Sequence, residues 1–331
     1  MNRNHARNST RFHFAGIAIA LGLLTGCSET PDTAMQRTPI SVAGGMWIEL
    51  SPVLVAANSF YPEELTVAEG GVRSITAGEA IVATNAETQL LRESVTNPDL
   101  RIIMTVTESF YRLVARRSAG IETLEDLRGK RVMVPANTSA NYYLVAMLRT
   151  VGLREEDVEL VGLPPARGSQ TGMDQMSDAL VAGDVDVISI WEPESEDAIE
   201  QLGDDAVVLQ DRSVYREVFN LHTTATALAD PATRRSVVDF VRAVLDATDA
   251  LKLDPAPYWP HVSNVIGYSV EEIEASWPEM EFPADFVPDL LDVLEEEEVW
   301  VAQERDREPR SRAELADLVD RSVLAEALAA R

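Results

Sequence analysis

Short apolar runs alternate with stretches of helical period along most of the chain, the pattern of an α/β protein. Residues 40–43, 65–68, 80–84, 101–106 and 111–115 read as strands, and so do 131–134, 158–163, 185–191, 206–209 and 220–228. The run 185–191 is apolar on both faces, as expected of a strand buried on both sides. Helical periods fall at 47–58, 123–127, 138–151, 173–182 and 192–202, and from Pro231 to about Leu251. Local chemistry marks their ends. Thr138 or Ser139 supplies a cap and Gly152 a stop, Asp126 follows Thr123 at capping-box spacing, and Pro231 suits a first helical turn. From residue 252 to Arg331 the chain reads as helical, broken by Pro255-Ala256-Pro257 and by prolines from 278 to 288.

The opening residues break this rhythm. Arg3, Arg7 and Arg11 precede an apolar run at 12–24, the length of a secretory signal core and short for a membrane span. Leu24-Thr25-Gly26-Cys27 then resembles a bacterial lipobox, and Cys27 is the chain's one cysteine. That resemblance implies a signal peptide at 1–26, lipid on the Cys27 thiol, and Cys27 as the new N-terminus. More than one acyl chain at that residue would suffice for stable anchoring. Residues 27–39 contain two prolines and no apolar period, and read as a flexible tether. The expectation is a protein lipid-anchored to a bacterial membrane, in the periplasm or at the cell surface, where most ATP-dependent chemistry is excluded.

Composition narrows the function further. Hydrophobic residues make up 46% of 331, enough for a substantial core, and the mean hydropathy of -0.07 is that of a soluble chain. The net charge of -27 repels phosphate backbones, so no nucleic-acid partner is expected. One cysteine cannot make an internal disulfide, and His5, His13, His222 and His261 are too scattered for zinc. No metal and no cofactor is expected.

Three segments carry a family resemblance. "GIETLEDLRGKRVMVPANTSANYYLVAMLRTVGLREEDVELVGL", residues 120–163, resembles the second lobe of the substrate-binding proteins of ABC importers, type II periplasmic binding proteins. The group is the nitrate/sulfonate/taurine type, which includes thiamine-pyrimidine binders. "MSDALVAGDVDVISIWEPESEDAI" (176–199) and "LVDRSVLAEALA" (318–329) are similar to further parts of that pattern. One departure is "SITAGEAIVATNAE" (74–87), which lacks the family's aspartate after Gly78-Glu79. The resemblance spans residues 40–329. It implies a two-lobed α/β fold: each lobe a mixed, mostly parallel sheet flanked by helices, two crossover strands, and a helical C-terminal segment. Lobe one would be 40–114 plus 215–331, and lobe two 115–214. It further implies a monomer that closes on a small molecule and passes it to an ABC permease and ATPase.

Ligands of α/β sheets bind beyond the carboxyl ends of strands, which selects four loops. Gly45, Met46 and Trp47 follow the first strand; glycine lets the backbone approach a ligand, and Trp47 offers a stacking face or a core plug. Thr84 and Asn85 offer neutral hydrogen bonds or a helix cap. Asn137, Thr138 and Ser139 bring two hydroxyls to a helix N-terminus, a way to hold an oxyanion without a cation, or simply to cap. Trp191 lies where the family carries a cleft-facing aromatic, and Glu192 either holds an amine or opens a helix. Arg112, Arg116 and Arg117, near the first crossing, either attract an anion or form a solvated basic patch, the second being the expectation. The hydroxyls and amides suit a sulfonate- or nitrate-like anion, which the family favours; Trp47, Trp191 and Glu192 suit a flat, partly cationic heterocycle such as a pyrimidine. No nucleophile–base pair stands out, so a non-enzymatic receptor is expected ahead of an enzyme or a ligand sensor on the same scaffold.

Overall fold

The structure is a computed structural model and describes residues 37–167 and 171–331. The expected signal segment 1–26, Cys27 and the tether as far as Gln36 lie outside the described residues. None of the described helices is long and apolar enough to cross a membrane.

The chain begins with β1 (Val42–Gly44), α1 (Ser51–Val55), β2 (Val67–Glu69), α2 (Val72–Thr76), β3 (Val82–Ala86), α3 (Glu87–Glu93) and β4 (Leu100–Ser109). A second run holds β5 (Arg112–Arg116), β6 (Arg131–Met133), α4 (Ser139–Thr150), β7 (Glu159–Val161), α5 (Met176–Ala182), β8 (Val187–Ile190), α6 (Glu194–Leu202) and β9 (Ala206–Leu209). The return strand β10 (Glu217–Thr224) leads into α7 (Ala225–Ala229), α8 (Pro231–Leu253), α9 (Trp259–Ile266), α10 (Val270–Ser276), β11 (Met280–Glu281), α11 (Leu290–Glu304), α12 (Arg312–Ala316) and α13 (Ser322–Ala329).

These strands form two mixed sheets, ordered β11-β4-β10-β3-β1-β2 and β7-β6-β8-β5-β9. β1 pairs in parallel with β2 and β3, and β6 with β7 and β8. The strands next to the crossings pair antiparallel: β10 with β3 and β4, β5 with β8 and β9. The chain crosses between the sheets at Ser109–Arg112 and returns between Leu209 and Glu217. Helices cover both faces, as parallel pairs require.

The longest helix illustrates the packing. Asp230 caps α8 by accepting from Thr233 N–H (2.8 Å), and Pro231 fills its first turn. Val237, Phe240, Val241, Val244, Leu245 and Leu251 then bury one stripe at helical spacing. Each such side chain contributes on the order of 1.5–3 kcal/mol.

Three elements differ from the sequence pattern. The expected strand 220–228 ends at Thr224, whose hydroxyl accepts from Ala227 N–H (3.0 Å) and starts α7. A local cap here wins over β-propensity. The expected helix 47–58 forms, but with uneven pitch: a 3-10 turn at Ile48–Leu50, then α1, then a π-helical turn at Ala56–Phe60. At 123–127 only one 3-10 turn forms, with Asp126 accepting from Thr123 N–H (2.9 Å).

Candidate functional site

The loop after β1, the end of β3, the start of α4 and the loop after β8 converge between the two sheets. Gly45, Trp47, Asn85, Thr138, Ser139 and Trp191 line one cavity of about 150 Å³ there. Glu49, Gln89, Tyr111, Glu217 and Phe219 complete most of its wall. A wider basin of about 700 Å³ continues outward from it, sharing Asn85, Gln89 and Thr138, and carries Asn137 with Arg73, Arg92 and Arg305.

Aromatic rings shape the inner cavity. Trp47 meets Trp191 edge-on with centroids 5.2 Å apart. Tyr111 lies 6.5 Å from Trp191, and Tyr268 6.3 Å from Trp47. The indole N–H of Trp191 is buried and donates to no partner among the described residues.

The polar wall is acidic. Glu49 is buried, accepts from the Ser109 hydroxyl (3.1 Å) through one oxygen, and leaves the other without a donor. Burial pushes its carboxyl up to about 7. Glu217 opens β10 and accepts from the Ser139 hydroxyl (3.1 Å), which also shares a hydrogen bond with Tyr111 (3.0 Å). Burial, then the nearby Glu49 and Glu87, hold the Glu217 carboxyl well above its ordinary range. Among the described residues, no lysine, arginine or histidine lines this cavity.

The start of α4 reaches the same space because of local backbone chemistry. Asn137 takes a left-handed conformation (φ 63°), which asparagine tolerates better than most residues. Thr138 then caps the helix, accepting from Asn141 N–H (3.4 Å) and donating to Pro135 C=O (2.7 Å). Across the cleft, Gln89 donates to the Asn137 carbonyl (2.9 Å), and the Tyr268 hydroxyl donates to Glu194 (3.0 Å).

The remaining expected site residues lie elsewhere. Met46 is half-buried against the core and absent from the cavity wall. Thr84 is fully buried behind Gly44, whose absent Cβ would fall 2.7 Å from the threonine hydroxyl. Glu192 is also fully buried and faces Arg112, at 2.6 Å from the guanidinium. A carboxylate so paired is a structural group, with Glu196 as the second partner of Arg112. Arg112 is therefore buried rather than solvated, and Arg116 pairs with Asp186 (3.1 Å). Asn85 caps α2 by accepting from Val72 N–H (2.8 Å), not the helix that follows it. The corner at Gly78-Glu79 lines neither cavity.

The sequence reading overlooked Glu49, Tyr111 and Glu217. A usable signal exists for the first: Glu49 is the one acid in the apolar stretch from Met46 to Ala57. A lone acid at a buried position is informative.

Two α/β lobes joined by crossing segments, with a cavity between them, define the periplasmic-binding-protein fold. The chain belongs to the NMT1/THI5-like family, whose profile matches residues 65–257. No curated protein matches it in sequence. Among solved structures it resembles the alkanesulfonate-binding protein of Xanthomonas axonopodis bound to MOPS, with a TM-score of 0.66 and 16% identity over 87% of this chain and 100% of that one. It also resembles the periplasmic aliphatic sulphonate binding protein of Escherichia coli (TM-score 0.68, 15% identity, 87% and 100% covered). A third resemblance is to the desulfurization enzyme DszB (TM-score 0.60, 18% identity, 88% and 99% covered). At these identities the likeness is one of fold.

Proposed function

We propose that this chain is an extracytoplasmic solute-binding protein, anchored through lipid on Cys27, that captures a small molecule between its lobes and delivers it to an ABC importer. The family, the fold and the inter-lobe cavity support this reading.

The ligand that the geometry favours is a flat, neutral-to-cationic heterocycle bearing N–H donors, not a free oxyanion. One observation carries this: two buried carboxyls, Glu49 and Glu217, line the cavity and, among the described residues, no cation does. An oxyanion would find two carboxyls on that wall and no described cation to offer it a counter-charge. A donor-bearing ring would satisfy the free Glu49 oxygen, accept from the Trp191 indole N–H and lie among Trp47, Tyr111 and Trp191.

The test is a thermal-shift panel on the chain lacking residues 1–26 with Cys27→Ser. Aminopyrimidines and other amino-heterocycles are set against taurine, short alkanesulfonates, nitrate and bicarbonate. A ligand at ~100 times its Kd adds about 2.7 kcal/mol. The expected result is a saturable shift with an amino-heterocycle and none with the simple anions. A shift confined to sulfonates or nitrate would overturn the ligand assignment. A flat panel would count against the receptor reading and raise that of a sensor or scaffold.

A further inference from the structure

The outer basin differs in charge from the cavity it opens from. Arg73, Arg92 and Arg305 line it against one acid, Glu93. The inner cavity is lined instead by Glu49 and Glu217. The two spaces meet at Asn85, Gln89 and Thr138, so one molecule can reach from the ring-lined cavity into the basin. The far wall of the basin is bare backbone at Gly70 and Gly71, where a Cβ would fall 2.3 Å from Ser74 Oγ and 2.3 Å from Asn85 Oδ1. That wall keeps room for a guest beside the arginines.

The arginines are not all taken up by internal pairs. Arg305 follows α11, is exposed, and makes no ion pair or side-chain hydrogen bond among the described residues. Arg73 donates to Glu93 through Nε (2.7 Å), and its side chain is 78% exposed, so its Nη groups remain available. Arg92 is buried over the Trp300 ring and pairs with Glu304, and its Nε donates to no described partner. A guanidinium fork matches the oxygens of a phosphate two at a time. Asn137 and Thr138, at the start of α4, bring the positive end of that helix to the same basin. The overall field of a chain with net charge -27 repels anions, so three arginines on one basin are a local exception.

We propose that the basin is an anion subsite of the cleft, taking a phosphate monoester group carried by the same molecule whose ring occupies the inner cavity. The proposal rests on the amino-heterocycle reading above for the ring, and on Arg305 and Arg73 for the phosphate. The dianion sits in a space that Glu49 and Glu217 do not line, while those acids meet the donors of the ring. The two halves of the site thus divide the charges of one ligand between them. A monoanion such as nitrate or a sulfonate offers the arginines a single charge and no ring for the inner cavity, and stays weak.

The experiment titrates inorganic phosphate against the same Cys27→Ser chain at about pH 8, where the dianion predominates, and reads binding from the phosphorus NMR line width. Sodium chloride at matched ionic strength, without protein, is the blank. The expected result is saturable broadening, weakened several-fold in Arg305→Gln and unchanged in Arg154→Gln, which removes the same charge from an exposed position off the basin. Arg305→Gln breaks no described pair, so its folding is not at issue. Ribose 5-phosphate and cytidine 5′-monophosphate then compete with phosphate. The cytidine compound adds an amino-heterocycle to the same arm, and is expected to displace phosphate at lower concentration and to lose that advantage in Trp191→Ala. Line widths equal to the blank overturn the proposal, as does equal weakening in the two arginine variants; the ring reading then stands or falls by the thermal-shift panel alone. Arg305-dependent phosphate binding with no gain from the cytidine ring overturns the shared occupant, and a flat panel beside it sinks the ring reading as well.

Discussion

At the scale of single residues, this protein is distinguished by acids placed where acids are rare. Burial raises Glu49 from the ordinary 4.5 to about 7, because the cavity wall disfavours the charged form. A raised folded-state pKa gives stability that is complete below about 4.5 and is lost as the pH rises through about 7. Glu49→Gln removes this dependence. Relative to the variant, the unaltered protein is expected to lose about 3 kcal/mol across that window, read from urea melts at several pH values. Parallel stability curves for the two proteins would show that Glu49 is not held neutral. His222 works in the opposite sense: burial lowers it to about 4, so its contribution is lost as pH falls from 6.5 toward 4. It is present in both proteins and cancels in the difference.

At the scale of elements, the start of α4 joins fold and site. Thr138 satisfies one of the helix's free N–H groups and also lines both cavities. Thr138→Ala is expected to cost about 1 kcal/mol, and Thr138→Ser much less, by chemical denaturation. An alanine variant as stable as its parent would mean that the cap contributes nothing here. Thr138 and Gly152 were legible as the ends of this helix because their preferences are local. α7 was not, because Thr224 can serve equally as a strand residue or as a cap.

At the scale of the whole molecule, charge and closure oppose one another. The chain carries a net charge of -27, and its lobes touch through Gln89 and Asn137, Tyr268 and Glu194, and Trp47 and Trp191. Self-repulsion of that size disfavours compact states and is screened within about 10 Å at 0.1 M salt. Raising sodium chloride from a few millimolar to half-molar is therefore expected to raise the thermal midpoint. A midpoint that falls would show that the surface pairs outweigh the net repulsion; Arg312 with Asp292 and Arg331 with Asp246 are two of these.

The sequence by itself determined the α/β class, nearly every strand, the cap of α4, the first-turn proline of α8, and the loops that would meet. Those features follow from periodicity and from interactions a few residues long, which a linear reading can see. Of the ten expected ligand residues, Gly45, Trp47, Asn85, Thr138, Ser139 and Trp191 line the inner cavity, and Asn137 lines the outer basin. Only the tertiary structure decided the charge of that cavity. Glu192 is taken up by Arg112, 80 residues away in sequence, while Glu49 and Glu217 come to the wall from segments more than 160 residues apart. Whether an acid is a paired structural ion or a free recognition group depends on which side chains the fold brings beside it. That pairing is non-local, so no pattern along the chain records it.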